Sequence, residues 1–568
     1  MRIRILYGAL FISLLCSCQP EESADTVLIN GNFYTVNSEQ PTAQAVAVKD
    51  GRIMKVGTTE EVEVLKGEAT EVIDLKGQFA MPGLIEGHGH FSGLGQSMLN
   101  LNFLKSKSWD EIVQMVADAA KDAEPGEWIT GRGWHQEKWI EALDRDVLGY
   151  PFHDKLSAVS PNNPVLLGHA SGHGLFANAK AMELAGVSKE TPNPSGGEIV
   201  RDSRGEAIGV FEERAQAIIR AAYQEYVNTL TDDQKKENWI KGIEAAQKEC
   251  LENGVTSFQD AGSSYQDIEW YQELAAQGDL DMRLWVMLRH SHDRMKDNMA
   301  GFPIINAGNH FFTCKAIKTE VDGALGAFGA WLLASYDDKT DFHGQNTTPI
   351  SEVEKIAELA IDHNMQLCVH AIGDKANQVV LDIMEKNFED HPDQTDLRWR
   401  IEHAQHLHPD DIARFSKLDV IASMQGIHCT SDAPFVVKRL GEQRAREGAY
   451  PWRSLIDSGA KVANGTDAPV EDVNPFECLY ASVTRKRADT GFEFFPEQRM
   501  TRDEALYSYT LWNAYAAFEE SDKGSLVEGK LADIVVLSQD LSTCSDAEIL
   551  ETEVKMTIVG GEVKYSTD

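Results

Sequence analysis

The sequence predicts an α/β protein whose main body is a (β/α)8 TIM-like barrel, joined to a small composite β-sandwich formed by its N- and C-terminal segments. Two observations carry this. Through the middle of the chain, amphipathic segments of period 3.6 alternate with short apolar or β-branched runs, the order that builds parallel sheets. At both ends the pattern changes to apolar/polar alternation broken by Asn-Gly, Asp-Gly, Lys-Gly and Gly-Gly, the signals of hairpins. An open doubly wound sheet would usually carry a Gly-rich phosphate turn after its first strand, and the sequence has none.

In chain order, residues 1–17 read as an export signal. Arg2 and Arg4 precede an apolar run, Ile5 to Leu15, that is shorter than the ~20 residues a bilayer span needs. Cys18, preceded by the small Ser17, fits the cysteine that becomes lipid-modified in a bacterial lipobox, whereas Cys16 follows Leu15 and does not. The expectation is an exported chain, lipid-anchored to the bacterial membrane at its periplasmic face or at the cell surface; an ordinary secretory signal is the alternative. Residues 18–25 read as an acidic tether, 26–80 as the first part of the β-sandwich, 81–515 as the barrel and 516–568 as the second part of the sandwich. Within the barrel span, 111–123, 239–254 and 353–364 read as helices, and the apolar runs at 255–260, 365–374, 397–405, 420–426 and 461–469 as strands. Six cysteines follow Cys18 with no C-x-x-C pair, so a thiolate metal knot is excluded and the thiols read as small core residues.

Charge limits the partners. With 53 Lys+Arg against 90 Asp+Glu the net charge is −37, which repels phosphate backbones and anionic headgroups. Nucleic acid is excluded as a partner, and the membrane enters only through the N-terminal anchor. A small neutral or cationic substrate fits the charge, and a homo-oligomer is compatible with it.

The residues that carry chemistry fall at the C-terminal ends of the apolar runs, where barrel active sites are built. Pro82-Gly83-Leu84-Ile85-Glu86-Gly87-His88-Gly89-His90 leads a strand into H-x-H; residues two apart on a strand share a side, so both imidazoles can face one metal. His370, His403 and Asp467 end later runs in the same way. Imidazoles with a carboxylate suit zinc, manganese or iron and leave positions open for water, the mark of a catalytic site.

With these motifs in place, the sequence resembles the amidohydrolase superfamily, in the amidohydrolase family 3 group that includes YtcJ-like proteins and N-substituted formamide deformylase. The resemblance spans about 26–565. It rests on the segments 82–90, G-R-G-W-H-Q-E-K-W (131–139), G-H-A-S-G-H (168–173), P-S-G-G-E-I-V-R-D (194–202), I-K-T-E-V-D-G-A-L-G (317–326), V-H-A-I-G-D (369–374), I-E-H-A-Q (401–405), G-T-D-A-P-V (465–470) and G-K-L-A-D-I-V-V-L (529–537). It implies a metal-dependent hydrolase of C–N bonds in an amide, N-formyl or N-acyl amine or cyclic amide. His88 and His90 would hold the more buried of one or two divalent ions, and His370 and His403 the second. Lys318 would carry a CO2-derived carbamate bridging the two; read from the residues alone, it could instead pair with Glu320 or Asp322. Asp467 would be both a ligand and the group that takes the proton of the attacking water and returns it to the leaving nitrogen. His173 would lie near the substrate and hydrogen-bond the developing oxyanion.

Further residues are read from position. Trp134 and Trp139, beside His135, suit an apolar pocket wall or a core, and Glu402 and Asp374 are placed to orient His403 and His370. His363, His406 and His408 read as solvated, and the insertion at about 191–211 as a hairpin over the pocket. Two departures from the family pattern stand out: Glu86-Gly87, where relatives carry Asp and a small residue, and Gly326-Ala327-Phe328-Gly329-Ala330, where many carry Ser and Arg. A deaminase or a carbamate or ester hydrolase would use the same ligands. A non-catalytic substrate-binding lipoprotein would be expected to have lost some of them.

Overall fold

The structure is a computed structural model that describes residues 23–103, 106–136, 139–169, 174–194, 197–326 and 328–567. At its centre eight parallel strands stand in chain order: β1 (Leu84–Gly89), β2 (Val255–Ser263), β3 (Arg283–Leu288), β4 (Phe312–Glu320), β5 (Gln366–Ala371), β6 (Arg400–His403), β7 (Ile421–Gln425) and β8 (Val462–Gly465). Helices such as Asp232–Glu252 and Ile350–Asp362 cover the outside, so the strands are enclosed on both faces and read as near-continuous apolar runs. The expected (β/α)8 barrel is therefore present.

The seam between β8 and β1 is closed by side chains and loop amides in place of a strand ladder. Asn513 donates to the carbonyls of Ile85 (2.6 Å) and Asn464 (2.7 Å) and accepts from Asn464 N (3.1 Å). The buried Glu86 carboxyl accepts from Thr466 N (2.7 Å) and His88 N (3.2 Å), and burial pushes its pKa up to about 8. The amide of Asp467 donates to the carbonyl of His88 (2.8 Å), which fixes the end of β8 against the end of β1. The unusual Glu86 thus clasps the barrel where the site is built.

Two features depart from the sequence reading. Within the span expected as barrel, the described residues of 101–213 contribute no barrel strand; the strands there form a separate six-stranded sheet with apolar clusters of its own, around Trp109, Trp134 and Phe176 and around Trp128, Leu175 and Phe211. The hairpin Gly197–Arg201/Ala207–Glu213 is an edge of that sheet. The chain leaves β1 through the helix Phe91–Leu99, which crosses Asp232–Glu252 so closely that a Cβ on Gly95 would overlap the carbonyl of Gly242. At the N-terminal end, Ala24 and Asp25, read from the sequence as tether residues, belong to the first strand, Ala24–Ile29. Asp25 is held there by Lys49 Nζ (2.7 Å) and Asp50 N (2.8 Å).

The sandwich is composite, as expected. Phe79–Pro82 pairs antiparallel with Ile534–Leu537, so strands from the two ends of the chain share one sheet, and Leu28, Phe33 and Val46 pack with Ile534, Val536 and Ile558. Arg283, at the start of β3, joins this unit to the barrel through a two-point pair with Asp533 (2.7 and 2.8 Å), both groups being buried. Burial alone would raise the Asp533 pKa, but the guanidinium holds it below the usual carboxylate range. A carboxylate depressed in the folded state stabilises fully above its unfolded value of about 3.9, and that contribution is lost as pH falls through the lower folded value. Urea unfolding of the wild type is accordingly expected to weaken more steeply below about pH 4 than that of Asp533→Asn; parallel pH profiles would contradict this. Among the described residues no helix is long and apolar enough to cross a membrane.

Candidate metal centre

At the C-terminal end of the barrel the strands deliver their polar residues to one point. His88 and His90, two apart across Gly89, place their rings 5.8 Å apart, and a Cβ on Gly89 would collide with the Phe258 ring. His403, at the end of β6, lies with its ring centroid 4.7 Å from that of His88 and 4.5 Å from that of His370. Asp467, just past β8, brings Oδ1 to 3.2 Å from His90 Nε2 and 3.6 Å from His88 Nε2. His88, His403 and Asp467 each offer a ligand atom within 4.8 Å of the others. His403 and Asp467 both adopt positive φ (74° and 60°), a conformation that costs a non-glycine residue about 1 kcal/mol or more and is kept where function requires it.

Each ligand candidate is held from behind. His88 Nδ1 meets Glu402 Oε2 at 2.5 Å, and Glu402 is gripped by Arg400 through bonds of 2.7 and 3.0 Å. Arg400 also donates to Gln259, the carbonyl of Gly87 (2.8 Å) and Ser423 (2.7 Å), all inside the barrel. His403 Nδ1 meets Gln425 Oε1 at 2.7 Å. Asp322, whose carboxylate collects the amides of Trp331, Ile372 and Gly373 at 2.8–2.9 Å, comes within 3.8 Å of His370 Nε2. Two expectations are corrected here. Glu402 orients His88, not His403. Asp374 accepts instead from Leu333 N and Lys375 N, and Asp322 takes the place beside His370.

The donor set fits a divalent cation. Among the described residues His88 Nε2, His370 Nε2 and Asp467 Oδ1 are buried with no hydrogen-bond partner, an arrangement proteins avoid unless a ligand completes it. Burial, reinforced by Lys318, lowers the His88 pKa to about 4 and that of His370 to about 3, and burial holds His403 well below the usual imidazole range. The rings are therefore neutral at pH 7, the form that ligates metal. Burial pushes the Asp467 carboxyl up, but the surrounding His90, His88, His403 and His428 hold it well below the usual carboxylate range, ionised.

Lys318, on β4, is buried beside these groups with its pKa lowered by burial. Among the described residues it forms no ion pair: Glu320 is taken by Arg289 and Asp322 by backbone amides, which removes the pairings considered for it. The pocket above has a volume of about 340 Å3 and is lined by His90, Lys318, His370, His403 and Asp467 on its polar side and by Leu325, Ile372 and Phe435 on its apolar side.

Other expected residues lie elsewhere. Trp134 is a core residue of the separate sheet, its Nε1 donating to the carbonyl of Leu167 (2.9 Å), and the His135 ring lies 4.6 Å from that of His169, tilted against it, in the same unit; neither lines this pocket. The described part of the 191–211 hairpin does not line it either. His406 is buried, not solvated. His173 and Cys18 lie outside the described residues. Sequence reading missed His428, whose signal was its place three residues beyond the apolar run of β7.

Comparison with known proteins agrees with this geometry. Residues 71–565 match the Amidohydrolase family. Protein LONG AFTER FAR-RED 3 of Arabidopsis thaliana is 32% identical over 99% of this chain and 95% of its own. N-substituted formamide deformylase of Arthrobacter pascens is 29% identical over 95% and 98%. The crystal structure of an uncharacterized metal-dependent hydrolase from Pyrococcus horikoshii OT3 superposes with a TM-score of 0.74 at 27% identity, covering 92% of this chain and 99% of that one.

Proposed function

The chain belongs to the amidohydrolase family, and on that premise we propose that it is a metal-dependent hydrolase that cleaves the C–N bond of an amide, N-formyl amine, N-acyl amine or cyclic amide. The observation that carries the reading is the convergence of ligand atoms of His88, His403 and Asp467, with His90 and His370 adjoining, where His88 Nε2, His370 Nε2 and Asp467 Oδ1 find no hydrogen-bond partner among the described residues.

His88, His90, His370, His403 and Asp467 would hold the divalent ion or ions, zinc in the first instance. Bound there, the metal supplies Lewis acidity, lowering the pKa of water towards neutrality and polarising a carbonyl. The chain supplies the rest. Asp467, ionised and fixed by its amide to β1, takes the proton of the attacking water and delivers it to the leaving nitrogen. Glu402 and Gln425 fix the rings of His88 and His403. Lys318 as a carbamate would offer two oxygens to help hold the metal; its burial favours the neutral amine that reacts with CO2. The apolar wall of Leu325, Ile372 and Phe435 receives an apolar substituent and keeps water away from the reacting bond.

The test is product analysis. The zinc-loaded chain, given N-phenylformamide and a panel of other N-formyl and N-acyl amines and cyclic amides, is expected to release amine with formate or carboxylate. Ammonia in place of amine would redirect the reading to deamination, and no product across the panel would refute it. The N-terminal signal and Cys18 support export with a lipid anchor; the mass of the detergent-extracted chain would show loss of residues 1–17 and a gain of acyl mass.

A further inference from the structure

We propose that His428 is a further catalytic residue of this hydrolysis, its Nε2–H donating a hydrogen bond to the substrate oxygen that gains charge as the carbonyl carbon is attacked. The proposal rests on the hydrolase reading above.

His428 belongs to the short helix Gly426–Ser431, which leaves β7 directly into the pocket, and it is 6% exposed. Its Nδ1 lies 3.1 Å from Gln405 Nε2, an amide donor, so Nδ1 accepts and the ring proton sits on Nε2. Gln405 is buried and anchored, its carbonyl accepting from Tyr450 N at 2.7 Å. A turn further on, Asp432 N donates to the carbonyl of His428, and the Asp432 carboxyl is taken by Tyr450 OH at 2.6 Å. The imidazole is thus held at its Nδ1 and through its backbone carbonyl.

Nε2 is buried with no hydrogen-bond partner among the described residues. The charged atom facing it, Asp467 Oδ2, is 4.0 Å away, beyond hydrogen-bond length. A buried N–H left unpaired in a pocket wall is costly unless a ligand supplies the acceptor. His428 is not in the trio of convergent ligand atoms; its ring lies stacked 6.2 Å from that of His403 and lines the same pocket as Asp467. A substrate carbonyl placed for attack by a water facing Asp467 would thus lie beside this donor.

The step balances. The water oxygen forms a bond to the carbonyl carbon, and the π pair moves onto the oxygen facing His428. That pair returns as the C–N bond breaks, and the proton taken by Asp467 goes to the nitrogen. A donor fixed in advance, beside the apolar wall of Leu325, Ile372 and Phe435, strengthens its bond as charge develops and so acts on the rate rather than on ground-state binding.

The experiment uses the zinc-loaded full chain with N-phenylformamide as the probe. His428→Ala is expected to lower kcat by about 10²–10³ with KM changed less than about threefold. Metal content should stay unchanged. His428→Gln, which keeps an N–H near the position of Nε2, is expected to recover at least about tenfold of the loss, a rescue that a purely structural role would not give. Urea unfolding of both variants checks folding. With an active wild type, a kcat within about threefold in His428→Ala, a rise in KM alone, or loss of metal would overturn the proposal and leave the hydrolase reading standing. A metal-loaded wild type inert to the whole panel would remove both.

Discussion

Asp467→Asn should lower kcat by about 10²–10⁴ while the chain still folds and still takes up metal. The substitution keeps the side chain's shape and one oxygen able to face His88 and His90, so the cation site loses charge without losing its outline. What disappears is the group that can accept a proton, and an amide cannot replace it. The structure prepares this carboxylate with care: Asp467 is nearly buried, strained at φ 60°, fixed by its amide to the His88 carbonyl, and kept ionised by the imidazoles around it. A variant that retains more than about a tenth of the wild-type kcat would show that another group moves the proton, since general acid–base catalysis is worth at least about 10². Measuring metal content on the same preparation separates loss of proton transfer from loss of the ion.

Glu402→Ala should have the largest effect on stability. Glu402 is wholly buried between the guanidinium of Arg400 and the ring of His88. Burial alone would raise its pKa, but Arg400 and His88 hold it well below the usual carboxylate range, so it is a true anion inside the barrel. Removing it leaves Arg400 charged with Gln259, Ser423 and the Gly87 carbonyl as its remaining partners. Breaking a buried pair by deleting one member costs about 3–5 kcal/mol. His88 also loses the group that sets its tautomer, so metal affinity should fall about 10–100-fold. Urea unfolding and a metal-binding titration read the two effects separately. A stability loss under about 1 kcal/mol would mean that Arg400 is compensated by groups other than Glu402.

The barrel and the gathering of polar residues at its C-terminal end were legible because both follow from local pattern. Strands covered on both faces must be apolar throughout, and a polar residue ending such a run has little reason to be there except function; His370, His403 and Asp467 stand out on that basis. The separate sheet at 101–213 was not legible, since its helix Trp109–Asp122 and its strands carry the same two periodicities as a barrel unit. Periodicity shows what an element is and not which sheet it joins.

The supporting residues were misread for a different reason. Adjacent residues of a strand point to opposite sides, so Glu402 faces inward with Arg400, two residues back, and reaches His88 across the barrel; it cannot turn to its neighbour His403. Asp322 and Asp374 both follow barrel strands, and only the fold shows which carboxylate collects the loop amides beside His370. Glu86 looked like a departure from the family pattern, and its role at the barrel seam depends on Thr466, 380 positions away.

The central claim is that these imidazoles and Asp467 form a metal site that drives hydrolysis. Its most direct test is to strip divalent metal from the intact chain with a chelator, follow amine release from N-phenylformamide, and then restore zinc in measured steps. Turnover is expected to vanish with the metal and to return in proportion to the zinc taken up, saturating at one or two equivalents, and His403→Ala is expected not to regain it. Undiminished turnover by the metal-free chain, or zinc uptake and turnover unaffected by His403→Ala, would contradict that claim.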